Sequence, residues 1–427
     1  MNVAGAGDDG RETAQPPGAS ANAGGLDAEG VVFLGPGALE IAPYRVDPPG
    51  PGEVRIRMAA SGICHSDLHV LDGHWTRPSQ IVMGHEGAGW VESVGPATVV
   101  GRDALVGSAV GAPSLGQRRA PRVGDLVVLA WTAPCGACPS CLRGESWLCL
   151  APAGSGHRRA GGDVRIRRPD GAALGAYSGI GTMGSIQVVA ADAAIPVDAR
   201  TDPAVAALIG CAVTTGVGAV TRTARVQRGD TVAVVGLGGV GLAAVLGARL
   251  AGARRIVAID RLPAKLDRAL ELGASDAMIG GDSPAATARA LRALLVQGAG
   301  ASDATAHAAS GVDHAVEASG TIAGAETALA AVRPGGTIVL VGMPPQSTRL
   351  ALDVYAFVES GARILASNYG SAVPAEIFTQ LAQRAVEGSL PLERLVEERI
   401  GLADVPSAFA AMRRGDGARR VVVFSAG

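Results

Sequence analysis

Two kinds of hydrophobic patterning divide the chain. From Val31 to about Val128, short apolar runs are cut by Gly and Pro. The runs Val31–Leu34, Val54–Met58, Gly89–Val94 and Leu126–Ala130 have strand length and turn-forming neighbours, which predicts an all-β unit. From about Thr201 to Asn368, apolar runs alternate with segments of helical period. Thr231–Val235, Arg255–Ile259, His314–Glu317 and Thr337–Val341 read as strands. Val240–Ala251, Pro263–Leu272, Ala285–Val296 and Ile322–Val332 read as helices. Such alternation means right-handed crossovers and a parallel, doubly wound sheet, so the class is α/β with a separate β-rich unit. Beyond Tyr369 the pattern predicts an amphipathic helix at Ala375–Glu387 and a short helix at Ala403–Arg413. A closing strand, Arg420–Phe424, is a candidate to complete the N-terminal β unit.

Three stretches carry neither period. Met1–Gly30 is rich in Gly, Ala, Asp and Pro, and Leu26 is its one large aliphatic residue, so a disordered tail is expected. It lacks the basic start and apolar core of a signal peptide and is poor in arginine, unlike a transit peptide. A cytoplasmic chain follows, in which cysteines serve metals or catalysis more often than disulfides. Ala97–Pro121 reads as a surface insertion. Ala151–Ala176 carries Arg158, Arg159, Arg165, Arg167 and Arg168, a cluster that reads as a solvated face, with an anion site as the alternative.

The 427 residues are 48% hydrophobic and 18% charged, enough to build two or three cored domains. With 37 Lys+Arg against 39 Asp+Glu the net charge is −2, so no long-range field draws nucleic acid or an anionic membrane. No uninterrupted apolar run reaches the roughly 20 residues of a membrane span. The basic residues are almost all arginine, with Lys265 the only lysine.

Chemistry enters first at Gly236-Leu-Gly238-Gly239-Val240-Gly241, between a strand and a helix. In that context Gly236 permits the tight turn, Gly238 lets backbone approach a pyrophosphate, and Gly241 lets helix pack on strand. The helix start offers free N–H groups and a positive dipole to the phosphates. Asp260 ends the next strand, where a carboxylate accepts from the adenosine ribose hydroxyls and repels a 2′-phosphate. This favours NAD over NADP, with Arg261 beside it as a counter-signal.

All six cysteines fall into two groups. Cys135, Cys138, Cys141 and Cys149 follow a C-x2-C-x2-C-x7-C spacing, which suits a closed, structural zinc tetrahedron; an iron–sulfur cluster and a redox disulfide are the alternatives. Cys64 and Cys211 stand far apart, with His85 between them in Gly84-His85-Glu86-Gly87. Two thiolates and an imidazole would leave the fourth position of a zinc open. Each residue taken alone reads equally well as a buried core residue.

In order along the chain, the motifs around Cys64, His85, the four-cysteine lobe, Cys211 and Gly236 resemble the zinc-containing, medium-chain alcohol dehydrogenase family. The resemblance covers about residues 30–427. It implies a GroES-like catalytic domain from residues 31–212 and 369–427, a zinc lobe at 135–149, and an inserted Rossmann domain at 213–368. It further implies two zinc ions per chain, one on Cys64, His85 and Cys211 and one on the four-cysteine lobe. Glu86 matches a carboxylate able to approach the catalytic metal, and Asp67 the acid that receives the free N–H of the ligand histidine. Ser66 and His69 match a relay carrying the substrate proton to solvent. His65, with Arg419 or Arg420, matches a pyrophosphate contact. Lys265 matches a contact to the adenosine ribose, and Thr215 and Val240 match the lining of the nicotinamide site. Trp75 resembles a tryptophan that narrows the substrate pocket in yeast-type members, with edge packing as the alternative.

The implied activity is reversible oxidation of an alcohol to an aldehyde or ketone, with hydride transfer to NAD, in a homodimer or homotetramer. The alternatives are oxidation of a hydroxymethyl adduct of a small thiol, for which the arginines at 158–168 could receive a carboxylate, and a non-catalytic NAD-binding role. The chain departs from the family pattern in the length of Ala97–Pro121 and in Ala151–Ala176, which has no clear counterpart.

Overall fold

In the computed structural model, residues 25–96, 119–150, 164–297, 310–415 and 419–425 are described. Most of the Ala97–Pro121 insertion, together with Arg158 and Arg159, lies outside them. Among the described residues the chain builds a small closed barrel, a seven-stranded sheet and a six-stranded parallel sheet.

The barrel starts with a hairpin. Leu26–Gly35 pairs antiparallel with Ala38–Val46, from Leu26 opposite Val46 to Gly35 opposite Ala38. In the second strand Ala42, Tyr44 and Val46 are buried while Ile41, Pro43 and Arg45 are exposed, the period-two alternation of a one-sided strand. The first strand begins at Leu26, inside the segment expected as tail. Its Gly- and Ala-rich composition hid a strand that pairing with residues 44–46 defines; residues 1–24 are outside the described part. Ile166–Arg167, Ala173–Ala176 and Ile81–Val82 close the barrel. Here Arg165 pairs with Glu53 (3.1 Å), Arg167 with Asp47 (3.6 Å) and Arg168 with Glu40 (2.7 Å). These three arginines are therefore partnered within the β unit.

The seven-stranded sheet runs Ala194–Pro196, Leu126–Leu129, Gly87–Val94, Glu53–Gly62, Arg420–Val423, Glu398–Ile400, with Ile186–Ala190 also paired to Glu53–Gly62. The closing strand does return: Val421 lies opposite Gly62 and Val423 opposite Ala60. This brings the last residues beside Cys64.

The parallel sheet has the order Asp276–Ile279, Arg255–Asp260, Thr231–Val235, Val312–Glu317, Val332–Leu340, Arg363–Ala366. Its central strand, Thr-Val-Ala-Val-Val, is buried throughout, as a strand covered on both faces must be. Between the β unit and this sheet runs a helix, Pro203–Ala224, long and apolar enough for a bilayer but 94% buried in the core. Gly and Thr interrupt its apolar run, which is why no span was visible in the sequence. N-terminal capping is supplied by Asp202, whose carboxylate accepts from Ala204 N (2.8 Å) and Val205 N (3.3 Å).

Asp313 ties three parallel strands together. Its carboxylate accepts from Thr231 N and Oγ1 (both 2.8 Å) and from Arg333 Nε (2.7 Å). Burial pushes its pKa up, but these bonds outweigh it and hold the carboxyl at about 2. A folded value below the unfolded one stabilises the fold above the unfolded pKa, and the gain is lost as pH falls towards 2. With partial solvent access, the shift corresponds to about 1–2 kcal/mol. Asp313→Asn is therefore expected to lower urea-unfolding stability by that amount at pH 7, with the difference from wild type shrinking between pH 4 and pH 2.

Candidate metal centre and coenzyme cleft

Cys135, Cys138, Cys141 and Cys149 place their four sulfurs within 4.8 Å of one another. The loop aims backbone donors at them: Cys135 N reaches Cys149 Sγ and Cys138 N reaches Cys135 Sγ, both at 3.3 Å. Backbone N–H groups of Cys141 and Leu150 pull the Cys138 thiol down to about 6, while burial pushes Cys141 up to about 12. Four sulfurs this close ionise together only around a cation, and four-thiolate chemistry with no open position fits zinc. All six cysteines are free thiols.

The second group lies where three elements meet. Cys64 begins the helix His65–Leu71, His85 follows the strand Ile81–Val82, and Cys211 sits in a π-helical turn, Ile209–Val213, inside the long buried helix. Such a turn carries one extra residue, re-aims a side chain, and recurs at functional sites. The ligand atoms of Cys64, His85 and Cys211 lie within 4.8 Å of one another, and all three residues are buried. Asp67 Oδ1 holds His85 Nδ1 at 2.9 Å, which leaves Nε2 for the thiols. Asp67 Oδ2 also accepts from Cys64 N (3.2 Å), so one carboxylate orients two of the three candidate ligands. A hydrogen bond from Cys211, aided by His85 and Arg419, draws the Cys64 thiol well below its usual range against burial. The same bond, with burial, pushes Cys211 up. Burial also raises Asp67. This donor set, two thiols and an oriented imidazole in a dry pocket, fits zinc with one position free.

Glu86 adjoins the trio, fully buried. Ala212 N donates to its Oε1 at 2.8 Å, and the guanidinium of Arg419 pairs with its Oε2. Burial lifts its carboxyl to about 7, with Arg419 opposing the rise. The carboxylate fits only because residue 62 is glycine: a Cβ there would lie 2.0 Å from Oε2. Arg419 also donates to Ile63 O (2.8 Å), and its Cζ lies 3.1 Å from where a Cβ on Gly239 would stand. One buried arginine therefore joins the metal candidate to the glycine loop. Arg420, in contrast, pairs with Glu398 (2.6 Å) at the sheet edge.

Gly236 has φ +89°, a left-handed conformation that lets the chain turn off the strand Thr231–Val235. Gly238 faces open space at the start of the helix Gly239–Ala251, where phosphates fit. Asp260 shapes the same turn, accepting from Leu237 N (2.7 Å), Arg261 N (2.7 Å) and Leu262 N (3.1 Å). Val240 flanks the loop, and its carbonyl packs against Gly216, next to Thr215 on the long helix. Partial burial lowers the exposed His65 imidazole, aided by the charge of Lys265 from the helix Pro263–Glu271.

Ser66 is half-buried on the first turn of the helix from His65, and His69 is buried one turn on. His69 Nε2 lies 3.1 Å from Met343 O, in the segment following the strand Val332–Leu340, and its Nδ1 lies 3.1 Å from His74 Nδ1. Trp75 stacks on His69 at 4.9 Å and donates to Pro344 O (2.9 Å). Through this bond Trp75 clips the β unit to the segment after the strand Val332–Leu340. Tyr177 packs edge-on against His85 at 5.4 Å.

Residues 50–199 match the alcohol dehydrogenase GroES-like domain, and residues 239–387 match the zinc-binding dehydrogenase domain. The chain is 32% identical, over 90% of its length and 96% of the relative's, to an S-(hydroxymethyl)glutathione dehydrogenase of Synechocystis sp.. It belongs to the zinc-containing, medium-chain alcohol dehydrogenase family. An S-(hydroxymethyl)glutathione dehydrogenase of Escherichia coli is also 32% identical, over 93% of this chain and all of its own. An alcohol dehydrogenase zinc-binding domain protein from Burkholderia ambifaria superposes with a TM-score of 0.80 at 29% identity, over 94% of this chain and all of its own. The fold joins a GroES-like β unit to a Rossmann-like sheet, and the protein is a zinc-dependent alcohol dehydrogenase that uses NAD and a small-molecule alcohol.

Sequence reasoning left two neighbours of this alcohol dehydrogenase site unassigned. His74 stands five residues past His69 in a chain with seven histidines, a signal open to notice. Tyr177 carries no local signal, since only the fold brings it to His85. Because Asp67 orients His85, Asp67→Ala is expected to weaken zinc retention about 10–100-fold, read by competition with a chromogenic chelator, while the four-cysteine zinc stays bound.

Proposed function

We propose that the enzyme interconverts small primary or secondary alcohols and their carbonyl compounds at Cys64, His85 and Cys211, with NAD preferred to NADP. The observation carrying this reading is the buried trio oriented by Asp67 and joined through Glu86 and Arg419 to the glycine loop. Cys64, His85 and Cys211 would hold a zinc that would supply Lewis acidity, and NAD in the cleft would supply the redox chemistry. Asp67 fixes the His85 tautomer and raises its basicity. Arg419, rather than Arg420 with its guanidinium on Glu398, faces the pyrophosphate from beside Gly239 while it holds Glu86 next to the trio. The loop Gly236–Gly241 and His65 receive the phosphates. Asp260 and Lys265 address the adenosine ribose, while Thr215 and Val240 wall the nicotinamide. Ser66 and His69 move the substrate proton outward, and Cys135, Cys138, Cys141 and Cys149 hold the structural zinc.

The division into a split catalytic domain (residues 31–212 and 369–427, with its first strand reaching back to Leu26) and an inserted coenzyme domain (213–368) belongs to the same proposal. The helix Pro203–Ala224 bridges the first boundary. A second substrate reading, a hydroxymethyl adduct of a small thiol, is favoured by the names of the relatives. Arg165, Arg167 and Arg168 do not support it, being partnered by acids. We place the enzyme in the cytoplasm as a homodimer or homotetramer. Val354, Tyr355 and Val358 are 66%, 73% and 72% exposed beside the edge strand Arg363–Ala366, a surface suited to a second copy.

Zinc counting combined with a panel of alcohols, and of formaldehyde plus thiol, under NAD and NADP tests these readings. Cys64→Ser is expected to retain the structural zinc, lose the other, and keep below about 1% of the turnover; full zinc and rate in that variant would sink the assignment. Val358→Asp is expected to shift the assembly towards monomers in light scattering with the far-UV spectrum unchanged.

A further inference from the structure

We propose that Tyr369 is a positioning residue for the metal centre: its hydroxyl holds the peptide plane before Cys211 and so aims the Cys211 sulfur towards Cys64 and His85. This rests on the reading that these three side chains hold a metal, and it adds the device that points one of them. Cys211 needs such a device because it lies in the π-helical turn Ile209–Val213, where an extra residue breaks the regular repeat of the helix. Among the described residues, three side chains bind the backbone of that turn. Thr214 Oγ1 donates to Ile209 O (2.7 Å), Tyr369 Oη donates to Gly210 O (2.5 Å), and Glu86 Oε1 accepts from Ala212 N (2.8 Å). Gly210 O and Ala212 N belong to the two peptide units that flank the Cys211 Cα. Each unit is planar, so pinning both fixes the backbone rotations on either side of that atom and with them the direction of its Cβ. Glu86 supplies one pin and Tyr369 the other.

Tyr369 is itself held for this task. It is buried, and its ring lies 4.2 Å from that of Trp131 and 6.2 Å from that of Phe378. Tyr369, Gly370 and Ser371 have φ of +52°, +66° and +49°, consecutive left-handed residues of which two carry side chains. Such backbone costs free energy and persists where the surrounding contacts enforce it. Here those contacts come from the long helix Pro203–Ala224. A Cβ on Gly370 would lie 2.4 Å from Thr214 O, and Thr223 Oγ1 lies 2.8 Å from the hydroxyls of both Ser367 and Ser371. The left-handed turn therefore seats the phenol against a carbonyl 159 residues earlier in the chain. A phenylalanine would serve the ring packing equally well; the hydroxyl adds the bond beside Cys211.

The test compares variants of the full-length protein carrying zinc, or cobalt(II) in its place, at the trio. Tyr369→Phe keeps the ring and removes only the donor. It is expected to weaken metal retention at the trio about tenfold in competition with a chelator and to shift the thiolate-to-cobalt absorption band, with the four-cysteine zinc still bound. Phe378→Leu disturbs the packing of the same ring without removing a hydrogen bond, and is expected to leave the cobalt band in place. Wild-type retention and an unshifted band in Tyr369→Phe, with metal lost from the trio in Cys211→Ser, would overturn the Tyr369 assignment and leave the trio standing. Wild-type retention in Cys211→Ser would overturn the trio and the assignment together. A band shift of the same size in Phe378→Leu would also overturn the assignment, marking Tyr369 as a packing residue.

Discussion

A buried carboxylate gripped by a buried arginine organises this molecule. Glu86 follows the candidate ligand His85, takes the backbone N–H next to Cys211, and pairs with Arg419, which lies against Gly239 and the carbonyl before Cys64. The three candidate ligands and the glycine loop are thus each adjacent to a contact of this one ion pair. Removing one partner of such a pair strands the other charge in a dry interior, typically at a cost of about 3–5 kcal/mol. The return of the strand Arg420–Val423 to Glu53–Gly62 is what brings Arg419 to Glu86.

How far the fold was legible in the sequence follows from what each element packs against. Thr231–Val235 and Arg255–Asp260 are covered on both faces, so their residues form continuous apolar runs that announce a parallel sheet. The two-residue strands Ile81–Val82 and Ile166–Arg167 carry no such signal, because distant pairing rather than local preference defines them. The strand at Leu26 was hidden for the same reason. At the site, spacing pointed to the four-cysteine group, whereas Cys64, His85 and Cys211, far apart in sequence, were joined only by the resemblance to the family. Spacing could not separate Arg419 from Arg420. Strand placement decides between them, sending one guanidinium inward to Glu86 and the other to Glu398 at the edge. Contacts such as His69 with Met343, 274 residues apart, exist only once the two halves close on each other.

That closure has a specific seam. His69, Trp75 and Thr76 from the β unit hold Met343, Pro344 and Gln346 from the parallel-sheet side through hydrogen bonds of 2.9–3.3 Å. Most of these bonds use main-chain carbonyls, so their geometry survives many changes of side chain. The bond to Met343 O also fixes the tautomer of His69, whose Nε2 must carry the proton.

The solitary lysine has a practical side. Lys265 lies in the first turn of the helix that follows Asp260, so the chain's only ε-amine stands at the proposed coenzyme cleft. Any amine-directed dye, cross-linker or immobilising support that reacts with a lysine side chain will be delivered to that cleft. Thiol-directed reagents face the complementary difficulty, since every sulfhydryl belongs to one of the two metal candidates. An arginine-rich surface leaves this enzyme with almost no inert chemical handles, so labelling or tethering without loss of activity calls for an introduced residue on a face remote from both.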